Sequence, residues 1–123
     1  MTSKNNITDI KKLLKILSCD KQKIVIIDGY KVKNKEKYSL FLRKGLYCKC
    51  CLNKAIFAKI EKDDKCKSGF YHLVFYIMKG RKEIQLTIDH IIPRALNGDD
   101  EEENYQILCE ECNRAKGDKI IVF

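Results

Sequence analysis

An α+β fold follows from three stretches of this 123-residue chain. Ile7, Ile10, Leu13, Leu14 and Leu17 recur at the i, i+3, i+4 spacing of an amphipathic helix. Residues 70–78 and 84–88 are two apolar runs, the first dense in aromatic and β-branched residues, with Lys79-Gly80-Arg81-Lys82 between them, the pattern of a β-hairpin. Residues 105–108 suit a short strand, and Glu110–Lys116 suits a helix stopped by Gly117. The length fits one domain with one modest core. The expected organisation is an N-terminal extension over residues 1–45, made of helix, short strand and helix, packed on a core over residues 46–123.

Residues 1–6 are polar and expected to fray. Lys11, Lys12 and Lys15 lie opposite the apolar stripe of the first helix, and a solvated face is the commoner use of such lysines than contact with DNA. Residues 23–27, Lys-Ile-Val-Ile-Ile, read as a strand, and Asp28-Gly29 after them as a turn. Residues 31–37 are a charge run, expected as a linker or exposed loop. Tyr38, Leu40, Phe41 and Leu42 predict a short helix over Glu36–Lys44 ending at Gly45, which delivers the chain to Cys48. The rings of residues 70–78 are expected in the core, and His72 within that strand is assigned no role in chemistry. Asn97-Gly98-Asp99-Asp100 is a turn, and the acidic run Glu101-Glu102-Glu103 after it reads as a solvated loop held away from any nucleic acid.

Charged residues make up 34% of the chain and apolar residues 45%, so a metal staple would help so small a core. Lysine and arginine outnumber aspartate and glutamate by 25 to 17, a formal charge of +8 that favours a polyanionic partner without identifying it. No run approaches the roughly 20 apolar residues of a membrane span. Residues 1–20 thread lysine through their apolar positions, unlike the apolar segment of a secretory leader. An intracellular protein is expected, cytoplasmic in a bacterium or virus-infected cell, or nuclear, with no membrane partner.

Four of the seven cysteines form two Cys-x-x-Cys pairs, Cys48/Cys51 and Cys109/Cys112. In a reducing compartment such pairs read as metal ligands, and together as a structural zinc site closing a long loop. Cys19 and Cys66 read as small buried hydrophobes. Cys50, in Cys48-Lys49-Cys50-Cys51, offers a competing ligand.

The densest chemistry lies between residues 89 and 117: Asp89-His90-Ile91-Ile92-Pro93, then Asn104, then Cys109-x-x-Cys112-Asn113-x-x-Lys116-Gly117. With Cys48-x-x-Cys51 before it, this order resembles the HNH endonucleases of the His-Me finger group. The likeness covers residues 48–117 in outline and is dense only over 84–117. It implies a ββα-metal core: a strand ending at His90, an ordered loop, a strand near residues 105–108 and a helix carrying Asn113. It also implies hydrolysis of phosphodiester bonds in DNA, double-stranded DNA first among substrates. Where the family commonly ends its motif in histidine this chain has Asn113, a variant the family also uses.

Under that resemblance His90 is the general base, because an imidazole with a reference pKa near 6.5 can take a proton from water at neutral pH. Asp89 and Asn113 would hold Mg²⁺ or Mn²⁺ through oxygen. Adjacent residues of an extended strand point to opposite faces, so a bend at the strand end is needed to bring Asp89 and His90 together. Asn104 would brace the loop that orients His90, and Arg94, Arg114 and Lys116 are candidate phosphate contacts. A Cys₄ zinc has no open position for water, so its role is folding. A homodimer is one way to cut both strands. The competing reading is a non-catalytic, zinc-stapled nucleic-acid-binding module; a redox role for the Cys-x-x-Cys pairs is disfavoured, since no thioredoxin-like βαβ pattern accompanies them.

Overall fold

The computed structural model describes residues 7–19, 23–62 and 69–123. The expectations for residues 1–6, for the Cys19 side chain and for Cys66 lie outside it. Helix α1, Ile10–Cys19, buries Ile10, Leu14 and Leu17 and leaves Lys11, Lys12 and Lys15 exposed. The helix starts later than its stripe because Ile7 is used elsewhere, exchanging backbone hydrogen bonds of 2.9 and 2.8 Å with Ala58.

Strand β1, Ile24–Ile27, turns at Asp28-Gly29 into β2, Tyr30–Lys33. Both turn residues have positive φ, 51° and 81°, as a two-residue hairpin whose twist matches its strands requires. The charge run after this turn is therefore in part a strand and not a linker: Tyr-Lys-Val-Lys alternates, with Val32 fully buried between two lysines. Helix α2, Glu36–Lys44, has the predicted bounds and buries Tyr38, Leu40 and Phe41.

Strand β3, Phe57–Lys62, has no counterpart in the sequence reading. It pairs antiparallel with β4, Tyr71–Lys79, from Phe57↔Tyr76 to Lys62↔Tyr71. Its alternation is broken by Ala58 beside Phe57, and two of its charges are answered across the sheet, Lys59 by Glu83 at 2.6 Å and Glu61 by the Tyr76 hydroxyl.

β4 and β5, Lys82–His90, form the predicted hairpin, but only its turn end pairs, from Lys79↔Lys82 to Tyr76↔Gln85. Beyond Gln85 strand β5 leaves β4 and pairs with β6, Tyr105–Cys109, from Leu86↔Cys109 to His90↔Tyr105. Helix α3, Glu110–Lys116, follows β6 directly. The sheet order is β1-β2-β4-β5-β6, with β3 on β4.

One apolar cluster joins Leu14, Leu17 and Phe41 of the first 45 residues to Leu73, Phe75, Ile77, Leu86, Ile107 and Leu108. Phe75 meets Phe41 at 5.1 Å and Tyr38 at 6.2 Å between ring centroids. Each such fully buried side chain contributes about 1.5–3 kcal/mol. Where β5 departs, the Tyr38 hydroxyl accepts the Leu73 N–H at 2.9 Å. Removing that acceptor strands a buried donor, so Tyr38→Phe should lose about 1–3 kcal/mol in urea unfolding; unchanged stability would mean that this bond does not hold α2 to the sheet.

Candidate functional site

Cys48, Cys51, Cys109 and Cys112 bring their sulfur atoms within 4.8 Å of one another. Each pair carries the same local hydrogen bond, Cys51 N–H to Cys48 Sγ and Cys112 N–H to Cys109 Sγ, both 3.5 Å, and Asn53 Nδ2 donates to Cys51 Sγ at 3.2 Å. A tetrahedral ion with sulfur at about 2.3 Å needs edges of roughly 3.8 Å, so a small contraction of this cluster accommodates a metal such as zinc. Burial pushes the Cys51 thiol up, but hydrogen bonds from Asn53 and Cys48 outweigh it and bring its pKa to about 7. Burial also pushes Cys109 and Cys112 up, and there it prevails. Four thiolates this close need a cation to coexist. Cys50 is exposed.

Cys109 is at once the end of β6, opposite Leu86, and the N-cap of α3. The thiol cluster therefore sets how α3 leaves the sheet. On β5, Thr87 and Asp89 share one face, two residues apart. On α3, Asn113 and Lys116 share one face, three apart. The two faces meet: Asn113 Nδ2 donates to Thr87 Oγ1 at 2.9 Å, and Lys116 Nζ lies 3.1 Å from Asp89 Oδ2. The Thr87 hydroxyl uses its only proton on Leu108 O, at 2.8 Å, so it can only accept from Asn113. That fixes the carboxamide: nitrogen towards Thr87, oxygen turned to the other side, where it can serve as a ligand.

Asp89 is 8% exposed and Lys116 2%. Lys116 also donates to His90 O at 3.0 Å, and Gln106, opposite Asp89 in the register, donates to Asp89 Oδ2 at 3.0 Å. Lys116 is thus no surface phosphate contact. It neutralises a buried carboxylate and ties the end of β5 to α3.

Pairing continues through His90↔Tyr105, and the chain leaves the ladder only at Ile91, whose N–H donates to Asn104 O at 2.8 Å. The bend expected at the strand end therefore lies after His90 and does not turn Asp89 and His90 to one face. Asp89 faces α3, while His90 lines a groove of about 480 Å³ with Leu40 and Arg43 of α2 and with Asp100, Glu102 and Tyr105. The His90 ring stands edge-on to Tyr105, centroids 5.0 Å apart and planes at 89°. Its Nε2 lies 2.8 Å from Asp100 Oδ1, an oxygen that Arg94 also reaches at 3.0 Å.

Asn104 is buried at the base of this loop. Its oxygen accepts from Ile92 N at 2.9 Å, and its amide donates to Ile92 O and Asp99 O at 3.1 and 2.9 Å. Gly98 is packed so closely that a Cβ there would lie 1.7 Å from Ile92 O. The acidic run Glu101–Glu103 is exposed, as expected of a solvated loop, with Glu102 paired to Arg43 of α2 at 2.7 Å, while Asp100 of the preceding turn returns to His90. Arg94 and Arg114 are both exposed, Arg114 paired with Glu110 one helical turn away at 2.6 Å.

Residues 78–119 match the HNH endonuclease family. No curated protein and no solved structure matches the chain. The HNH segment contains β5, the braced loop, β6 and α3, with Cys109 and Cys112, while Cys48 and Cys51 reach it from outside. Within it the sequence pattern alone does not single out Thr87, Gln106 or Asp100. Thr87 was open to inference as the residue two before Asp89; Gln106 needed the register; Asp100 carried no signal beyond its place in a turn. Among the described residues no helix is long and apolar enough to cross a membrane.

Removing one member of a buried ion pair leaves an uncompensated charge, so Lys116→Met should destabilise the protein by about 3–5 kcal/mol. Arg114→Met, breaking an exposed pair, should leave stability nearly unchanged. Chemical denaturation of both variants checks this, and equal losses would contradict the separate roles given to the two cations.

Proposed function

We propose that this chain is a metal-dependent HNH endonuclease that hydrolyses phosphodiester bonds in double-stranded DNA, with a structural zinc at its four clustered cysteines. The observation that carries the reading is the meeting of β5 and α3: a carboxylate, Asp89, and an amide oxygen, Asn113, on facing elements, with His90 next in the chain. Asp89 Oδ2 is occupied by Lys116 and Gln106, which leaves Oδ1 as the donor on that side. Two protein oxygens, with water and phosphate completing the shell, suit Mg²⁺ or Mn²⁺. A divalent cation held by Asp89 and Asn113 would supply positive charge for the phosphoryl oxygens and the leaving 3′ oxygen.

The protein's own part is to orient and to move a proton. His90 takes a proton from the attacking water as its oxygen bonds to phosphorus; the bond to the 3′ oxygen breaks, and that oxygen ends protonated. Asn104 holds the loop that positions the His90 ring. Arg94 and Arg114 are exposed cations on the loop and helix beside these groups and are offered as phosphate contacts. Such contacts position the duplex without reading its sequence.

One observation favours the second reading, a non-catalytic nucleic-acid-binding module. Asp89 and His90 leave β5 on opposite faces, and Asp89 already has a cation in Lys116. A phosphate would have to straddle the end of β5 to meet both. Plasmid cleavage separates the readings. Wild type should nick or cut with Mg²⁺ or Mn²⁺ and stop in chelator, and His90→Ala should lose about 10²–10⁴-fold in rate. A wild type that binds DNA without cutting it establishes the module instead. Elemental analysis of the purified protein should give one zinc per chain, lost on Cys48→Ser with Cys109→Ser; its absence from wild type would remove the structural-zinc assignment.

A further inference from the structure

We propose that Asp100 is a positioning residue that fixes His90 in one tautomer and one orientation, so that its base is Nδ1. We rest this on the nuclease reading for its catalytic meaning, but the contact itself stands on geometry alone. His90 Nε2 and Asp100 Oδ1 are 2.8 Å apart. The same Oδ1 receives the Arg94 guanidinium at 3.0 Å, the partner of a carboxylate, and a carboxylate can only accept. A neutral imidazole has one ring proton, and opposite a carboxylate that proton must sit on Nε2. The lone pair then lies on Nδ1. The opposite tautomer would place two acceptors face to face.

Three features show that the loop is built to deliver this carboxylate. Arg94 reaches the same Oδ1 through Nε and through a terminal nitrogen, both at 3.0 Å, so Asp100 is held by a second partner besides the imidazole. The backbone before Asp100 is pinned by the Asn104 amide on Asp99 O, and Asp99 in turn accepts the Glu101 N–H through its side chain at 3.1 Å. The close approach of Gly98 to Ile92 O admits no side chain at the turn. The edge-on contact with Tyr105 restricts rotation of the ring from another direction.

A hydrogen bond to a carboxylate as exposed as Asp100 adds little to stability. A loop braced at Asn104, Gly98 and Arg94 has no folding reason to present Asp100 to a histidine. Its effect is on which nitrogen of His90 meets solvent and how firmly. Arg94 thereby gains a role besides phosphate contact, as the residue that holds Asp100.

The test uses the full chain labelled with ring-¹⁵N histidine. Only His72 and His90 contribute signals, and His90→Ala assigns them. Wild type should show His90 as the Nε2–H tautomer with a slowly exchanging, downfield proton. Asp100→Ala should lose that proton signal to exchange while keeping its thermal midpoint, and kcat for plasmid cleavage should fall about 10- to 100-fold, part of what general-base catalysis supplies, with KM little changed. Asp100→Glu, which restores a carboxylate, should recover part of both. A wild-type His90 in the Nδ1–H form, or an Nε2–H signal and kcat both unmoved by Asp100→Ala, would overturn the proposal. If wild type cuts no DNA, the nuclease reading fails, and the NMR result alone still decides whether Asp100 sets the tautomer.

Discussion

Four sulfur atoms within 4.8 Å of one another cannot all be anions unless a cation lies among them, and whatever settles that charge also settles where α3 begins. Cys109 closes β6 and caps α3, and Lys49 N–H donates to Ile107 O at 2.9 Å, so the Cys48–Cys51 turn grips β6 as well as the cluster. A helix of seven residues is far too short to hold its form alone. It is fixed at its N-terminus by the thiols and at its C-terminus by Lys116, buried against Asp89 and the His90 carbonyl. Asn113 lies between these anchors and inherits its position from both.

The same strand end carries two electrostatic arrangements of different kinds. On the α3 face the charges are buried, and desolvating Asp89 and Lys116 is tolerable only because each compensates the other and Gln106 completes the hydrogen bonding. On the α2 face the charges are exposed: Asp100 and Arg94 meet at the oxygen that half-buried His90 also reaches, and Arg43–Glu102 crosses from the loop to α2. The first arrangement contributes rigidity, and the second contributes orientation at little cost to folding. β5 separates them, which makes the geometry of its last residue the point on which any joint chemistry turns.

Helices α1 and α2, the hairpin at Gly80 and the β6–α3 unit were legible because each is specified by its own period or its own turn residues. β2 and β3 were not. Each holds only two or three apolar residues interleaved with charged ones, too short a pattern to stand out locally; Val32, Phe57 and Ile60 become core when β4 lies beside them. The site shows the same division. Asp89, His90, Asn104, Asn113 and the four cysteines stand out by residue type and order. Lys116 read as a surface cation because nothing in its neighbours along the chain announces a buried carboxylate 27 positions earlier. Asp100 reads only as a turn residue because its contact depends on how Asn104 and Gly98 fold the loop back.

The proposed catalytic metal would lie on the α3 face, and paramagnetic broadening by Mn²⁺ of the protein purified with zinc tests that placement most directly. Substoichiometric Mn²⁺ should broaden the Asn113 side-chain amide and the backbone signals of Asp89 and Thr87 first, with Asp89→Ala abolishing the effect. Broadening centred on Glu101, Glu102 and Glu103 and unaffected by Asp89→Ala would contradict it.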